Sequence, residues 1–185
     1  NYLEMKNDFL EGHSFKGQTD TEIAVHLIGQ FVEEGLSTLE AFKKALKIIQ
    51  GSYAFALIDA TDADTIYVAK NKSPLLIGLG DDYNMVCSDA MAMIRETSEY
   101  MEIHDKELVV VKKDSVEVMD YDGNAIERGS YTAELDLSDI GKGTYPYYML
   151  KEIDEQPTVM RKLISAYTNE AGQVTVDADI IKAVQ

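Results

Sequence analysis

An α+β fold, with helices layered on antiparallel sheet, is predicted for this chain of 185 residues. Two observations predict it. Up to about residue 50 the apolar residues recur at helical spacing, and from Tyr53 onward they alternate or form short continuous runs. The runs are separated by clusters of Asp, Asn, Gly and Pro, as turns between strands require.

The chain opens on a short amphipathic helix, because Tyr2, Met5, Phe9 and Leu10 share one face and Gly12 stops the pattern. No capping residue precedes this helix, so it reads as the continuation of something earlier. Thr19 and Glu22 have capping-box spacing and predict a second helix with Ile23, Leu27, Ile28 and Phe31 on its buried face. Ser37 and Glu40 repeat the device before Leu39, Phe42, Leu46 and Ile49, and Gly51 closes that third helix. Tyr53 to Asp59, Thr65 to Lys70, Leu75 to Leu79 and Met85 to Cys87 then read as adjacent antiparallel strands. Ser88-Asp89 caps a short helix through Ile94. Glu107 to Lys112 and Ser115 to Asp120 are two further strands, the second entering a turn at Tyr121-Asp122-Gly123-Asn124. The segment Asp136 to Tyr148, poor in aliphatic residues and carrying Gly141, Gly143 and Pro146, reads as a linker. Met149 to Tyr167 is helical in pattern, with Ile153, Met160, Leu163 and Ile164 available for packing, and Val176 to Val184 looks like another helix start.

Composition narrows the functional classes. A formal net charge of −16, from 17 basic and 33 acidic residues, repels nucleic-acid phosphates and anionic lipid surfaces. No run of eighteen apolar residues is present to span a membrane. The opening residues have no basic region followed by an apolar stretch, so no secretory signal is read there. A lone cysteine, Cys87, cannot build a disulfide framework, and a reducing, cytoplasmic setting is expected.

Few residues carry a chemical signal by themselves. On spacing alone Asp20 is a first-turn acid that complements the helix dipole, and Thr19, Thr21 and Glu22 frame it. His26 reads as a packing residue on the following helix, while His13 and His104 look isolated. No histidine pair, or histidine with cysteine, has metal-ligand spacing, so neither a metal nor another cofactor is expected. Cys87, at the end of the apolar stretch Met85-Val86-Cys87, reads as a buried, inert thiol. Gly78 and Gly80 lack the third glycine, lysine and helix of a phosphate cradle and read as a strand end. Lys70 to Leu76 reads as architectural.

Two passages narrow the field. Gln18-Thr19-Asp20-Thr21-Glu22 resembles the substrate-clamping turn of N-terminal-nucleophile glutaminases. Tyr148-Met149-Leu150-Lys151-Glu152-Ile153-Asp154-Glu155-Gln156-Pro157 resembles the passage out of that domain in the glutamine:fructose-6-phosphate aminotransferase family, the glucosamine-6-phosphate synthases. Gly51-Ser52-Tyr53-Ala54, Ser73-Pro74-Leu75 and Ser88-Asp89 extend the resemblance over the whole chain. It implies an Ntn-hydrolase-type αββα glutaminase domain over residues 1–142, an interdomain linker over 143–157 and the start of a sugar-isomerase domain over 158–185. It also implies that Asp20 contacts the α-ammonium of glutamine. In such enzymes glutamine is hydrolysed through a thioester and ammonia passes to an isomerase domain, where fructose 6-phosphate becomes glucosamine 6-phosphate. Glutamine and fructose 6-phosphate are thus the expected ligands, the sugar phosphate bound by an isomerase domain beyond these residues, and the intact enzyme is expected to be a homodimer.

The family opens on a catalytic cysteine whose free amine is the general base, whereas this chain opens on Asn1. The upstream arginine and Asn-Gly segments of the family have no counterpart here, and the chain ends before the sugar-phosphate loops. An N-terminally truncated internal fragment, with no catalytic residue of its own and inactive alone, is therefore expected. Two alternatives remain open: a nucleophile-less module that senses glutamine or docks a partner, and a fragment of another class II amidotransferase such as the phosphoribosyl enzyme. The downstream passage argues against the latter.

Overall fold

The computed structural model describes residues 1–133, 141–169 and 171–175. The chain divides into two compact units, Asn1–Leu137 and Ser138–Gln185.

The first unit opens with α1 (Tyr2–Phe9), α2 (Asp20–Glu33) and α3 (Thr38–Ile48). The hydroxyls of Thr19 and Ser37 accept the Glu22 and Glu40 N–H groups, each at 3.3 Å, so both predicted N-caps are in place. α3 ends at Ile48, ahead of Gly51, whose φ of +115° sets the turn into the sheet. Strands β1 (Tyr53–Asp59), β2 (Asp62–Asn71), β6 (Glu107–Lys112) and β7 (Val116–Asp120) form one antiparallel sheet in that order. Strands β4 (Asn84–Cys87), β3 (Leu76–Leu79), β5 (Glu99–Glu102) and β8 (Tyr131–Thr132) form a second, also antiparallel. The short helix α4 (Ala90–Met93), capped by Asp89, follows β4.

Two apolar cores define the layering. Leu27, Ile28, Phe31, Phe42 and Leu46 of the helices pack on Tyr67, Ala69, Leu108 and Val110 of the first sheet. On the opposite face Val68, Val109, Val111 and Val118 meet Ile77 and Met101 of the second sheet and Ile103 just after β5. Both faces of β6 are therefore covered, which is why Leu108 to Val111 is a continuous apolar run rather than an alternating one. Gly78 stands on the other side of β3 from Ile77. There a Cβ would lie 2.8 Å from the Met93 sulfur, so glycine lets α4 approach closely.

The expected single run of adjacent strands is corrected here. β2 pairs with β1 and β6, whereas β3 pairs with β4 and β5. The chain leaves one sheet for the other at Lys72-Ser73-Pro74: Lys72 is left-handed, with φ of 58°, and Pro74 has no N–H to extend a ladder. β5 and β8 have no counterpart in the sequence reading. Glu99-Tyr100-Met101-Glu102 has one buried apolar residue, and β8 is two residues long.

In the second unit, α5 (Tyr148–Ala166) is continuous through Pro157 and across the 157/158 line. Ile153, Met160, Leu163 and Ile164 are all exposed on it. The expected helix over 176–184 lies outside the described residues, as does part of the segment read as a linker from Asp136. No helix among the described residues is long and apolar enough to cross a membrane.

Candidate functional site

Asp20 is the first residue of α2, exposed, and lies on the rim of a cleft of about 280 Å³. Buried Met5 of α1 and Ala24 of α2 line its apolar side, while Asn1, Gln50, Ser52 and Tyr53 give it a polar one. The turn that forms the polar wall is tied down by two amides. Asn1 donates to the Ile48 carbonyl at 3.0 Å and accepts the Gln50 N–H at 2.9 Å. Asn71, at the end of β2, donates to the Gly51 carbonyl at 2.6 Å. Tyr53 stacks on Phe55 and shares a 2.6 Å hydrogen bond with the hydroxyl of Tyr121. Burial raises the pKa of both phenols, so they stay neutral near pH 7.

A carboxylate set beside a cleft suits a small cationic group that also has polar atoms to be met by the opposite wall. At about 4 Å and an effective dielectric near 20, an ammonium–carboxylate pair is worth roughly 4 kcal/mol before desolvation. The net gain of such a charged hydrogen bond is about 1.5–3 kcal/mol.

Glu22 frames Asp20, but not as a simple capping box. Its carboxylate accepts the N–H groups of Lys16 at 2.6 Å and Gly17 at 2.7 Å, and so binds the incoming loop. Those hydrogen bonds, Lys16 first and Gly17 next, hold its pKa below the usual glutamate range.

The histidines are less isolated than their spacing suggests. The Nδ1 atoms of His13 and His26 are 3.3 Å apart, and the Phe15 ring lies edge-on to His26. His104 donates its backbone N–H to Glu107 at 2.7 Å, and its ring Nε2 lies 3.4 Å from Arg128 Nη1. Among the described residues no group of three His, Cys, Asp or Glu side chains could hold a metal ion.

Cys87 ends β4, is half-buried and does not line the Asp20 cleft. Burial pushes its thiol pKa up, the opposite of an activated nucleophile. Gly80 donates to the Tyr83 carbonyl at 2.9 Å in the turn after β3, as a strand end does. Lys70 pairs with Asp105 at 2.8 Å, and Asp105 also accepts the Lys72 N–H at 2.9 Å, which makes that stretch architectural.

Sequence reasoning missed Asn1 and Gln50 as parts of the cleft wall and Asn71 as the side chain that ties its turn to β2. Gln50, next to the left-handed Gly51, was the available signal, but the asparagines that tie this turn down lie 20 to 49 residues from the groups they hold.

A family model described as "glutamine amidotransferase domain" matches residues 1–95. The chain is 82% identical over 186 aligned residues to the glutamine–fructose-6-phosphate aminotransferase (isomerizing) of Streptococcus pneumoniae serotype 4, covering 100% of this chain and 31% of that protein. Proteins of the same name from Streptococcus agalactiae serotype V and Lactococcus lactis subsp. lactis are 81% and 77% identical, with the same coverage. The chain thus spans about a third of the length of the curated relatives it matches.

Proposed function

Because this chain belongs to the glutamine amidotransferase domain family, we propose that its cleft holds glutamine, with Asp20 taking the α-ammonium so that the side-chain amide points away from α2. The whole protein, in this reading, converts fructose 6-phosphate and glutamine to glucosamine 6-phosphate and glutamate. The observation that carries the reading is the carboxylate of Asp20 on the rim of a polar-walled cleft, within a chain 82% identical to a named glutamine–fructose-6-phosphate aminotransferase. Residues 1–142 belong to the amidotransferase domain, 143–157 lead out of it, and 158–185 begin a sugar-isomerase domain. The helices, two sheets and α4 support an Ntn-type αββα layering of the first of these. The protein works in the cytoplasm, as a homodimer.

The test is to incubate the full-length gene product with glutamine and fructose 6-phosphate and follow glucosamine 6-phosphate by mass spectrometry. Formation of the amino sugar supports the reading. Glutamate without it points to another acceptor, and neither product favours a glutamine-sensing or docking module. In the active protein, Asp20→Ala raises the KM for glutamine about 10- to 150-fold, the equivalent of the lost 1.5–3 kcal/mol, with kcat largely kept. An unchanged KM removes Asp20 from the site.

A further inference from the structure

Between the end of α1 and Thr19 the chain runs for nine residues without helix or strand, and this loop delivers Asp20 to the cleft. Such a segment has many conformations to lose, so the precision of the carboxylate depends on what fastens the loop. The fasteners are concentrated on one face of α2. Glu22 takes the Lys16 and Gly17 N–H groups. One turn on, His26 sits 3.8 Å from Glu22 through Nε2 and 3.3 Å from His13 through Nδ1. Phe15, between the two attachment points, meets the His26 ring at 4.7 Å and carries Lys6 of α1 over its face at 4.4 Å. His13, Phe15, Glu22 and His26 are each only half-buried, so the cluster is not simply part of the apolar core.

We propose that His13 and His26, with Glu22, form a latch that positions Asp20 for the ammonium of glutamine. The inference rests on the glutamine reading of the cleft. None of the three touches the ligand; each acts through the loop. His26 is the centre of the latch, because its two ring nitrogens face different partners: Nδ1 faces the loop, and Nε2 faces the carboxylate that grips the loop. Opening the latch at His13, seven residues from Asp20 in sequence, leaves the cleft walls and the N-cap in place but lets the carboxylate wander. Binding of the ammonium weakens, while the chemical step on the distant amide is spared.

The experiment uses the full-length protein and five variants: Asp20→Ala, His13→Ala, His13→Asn, His26→Gln and the double variant Asp20→Ala/His13→Ala. The readouts are KM and kcat for glutamine and the melting temperature. His13→Ala is expected to raise KM roughly three- to tenfold, the effect of losing one hydrogen bond, with kcat unchanged. His13→Asn keeps a polar atom near the Nδ1 position and restores most of the loss. In the double variant His13→Ala adds nothing to the effect of Asp20→Ala, because a positioning residue has no effect once the group it positions is gone. His26→Gln, which keeps a donor toward Glu22 but loses the contact with His13, reproduces His13→Ala and guards against a folding artefact at His13. An unchanged KM in both His13→Ala and His26→Gln overturns the latch. So do effects that add fully to Asp20→Ala, or a KM that follows the melting temperature in every variant. If Asp20→Ala itself leaves KM unchanged, the glutamine reading of the cleft fails instead, and the two failures are told apart.

Discussion

Replacing Arg128 by methionine removes the cation that faces a buried carboxylate. Glu107, the first residue of β6, is 6% exposed, and its two oxygens accept from the Arg128 guanidinium and from the His104 backbone N–H. Arg128 belongs to the segment after β7, and its side chain is 18% exposed, so the pair fastens that segment to the sheet largely out of water. Without the guanidinium, Glu107 keeps one backbone donor for a full negative charge. Breaking a buried pair on one side costs about 3–5 kcal/mol, and the partial exposure of Arg128 points to the lower end, about 3 kcal/mol. For a chain of this length that is a fall in melting temperature of roughly 6–12 °C. With no tryptophan and 11 tyrosines in the chain, urea and thermal unfolding are best followed by near-UV circular dichroism of the tyrosines. The double variant Glu107→Leu/Arg128→Met removes both charges together and should recover most or all of the loss. An Arg128→Met protein within about 1 kcal/mol of the parent would refute the reasoning, as would a double variant no better than Arg128→Met.

Acid should destabilise the fold through a defined set of carboxylates. Glu22, Asp59, Asp105 and Asp120 all have pKa values held down in the folded state, chiefly by the Lys16 N–H, the Thr38 hydroxyl, the Lys70 ammonium and the Asn124 side-chain amide, respectively. A group whose folded pKa is depressed contributes stability above its unfolded value, and that contribution is lost as the pH falls through the folded one. Their contribution is therefore steady from about pH 7 to 5 and declines from about pH 4 downward. Asp105→Asn should flatten part of that decline; parallel pH–stability curves for it and the parent would remove Asp105 from the set. The 185-residue polypeptide by itself should release no ammonia from glutamine, because its one cysteine has a pKa raised by burial and does not line the Asp20 cleft. Detectable glutaminase activity that disappears in Cys87→Ser would overturn that expectation.

Local signals made much of the fold legible. The N-caps at Thr19 and Ser37, the apolar stripe from Ile23 to Phe31 and the run Leu108 to Val111 are properties of neighbours in sequence, so α2, α3 and β6 could be read directly. β5 was not legible because it holds its place through pairing, Ile77 opposite Met101 and Tyr100 opposite Tyr131, rather than through its own pattern. The split into two sheets was hidden for a related reason. Antiparallel strands that follow one another look alike whether they share a sheet or face each other across a core.

The site divides along the same line. By itself the sequence singled out Asp20 through its helix-start turn and its family resemblance, and set Cys87 aside as inert. Only the tertiary structure decided what surrounds Asp20. It placed Asn1 and Gln50 in one wall, tied the turn of that wall to Asn71, turned Glu22 back onto Lys16 and Gly17, and brought His13 to His26. A cap or an apolar stripe is fixed within a turn or two of chain. A cleft wall depends on contacts between residues as far apart as Asn1 and Gln50, which exist only after the helices and the sheet have packed.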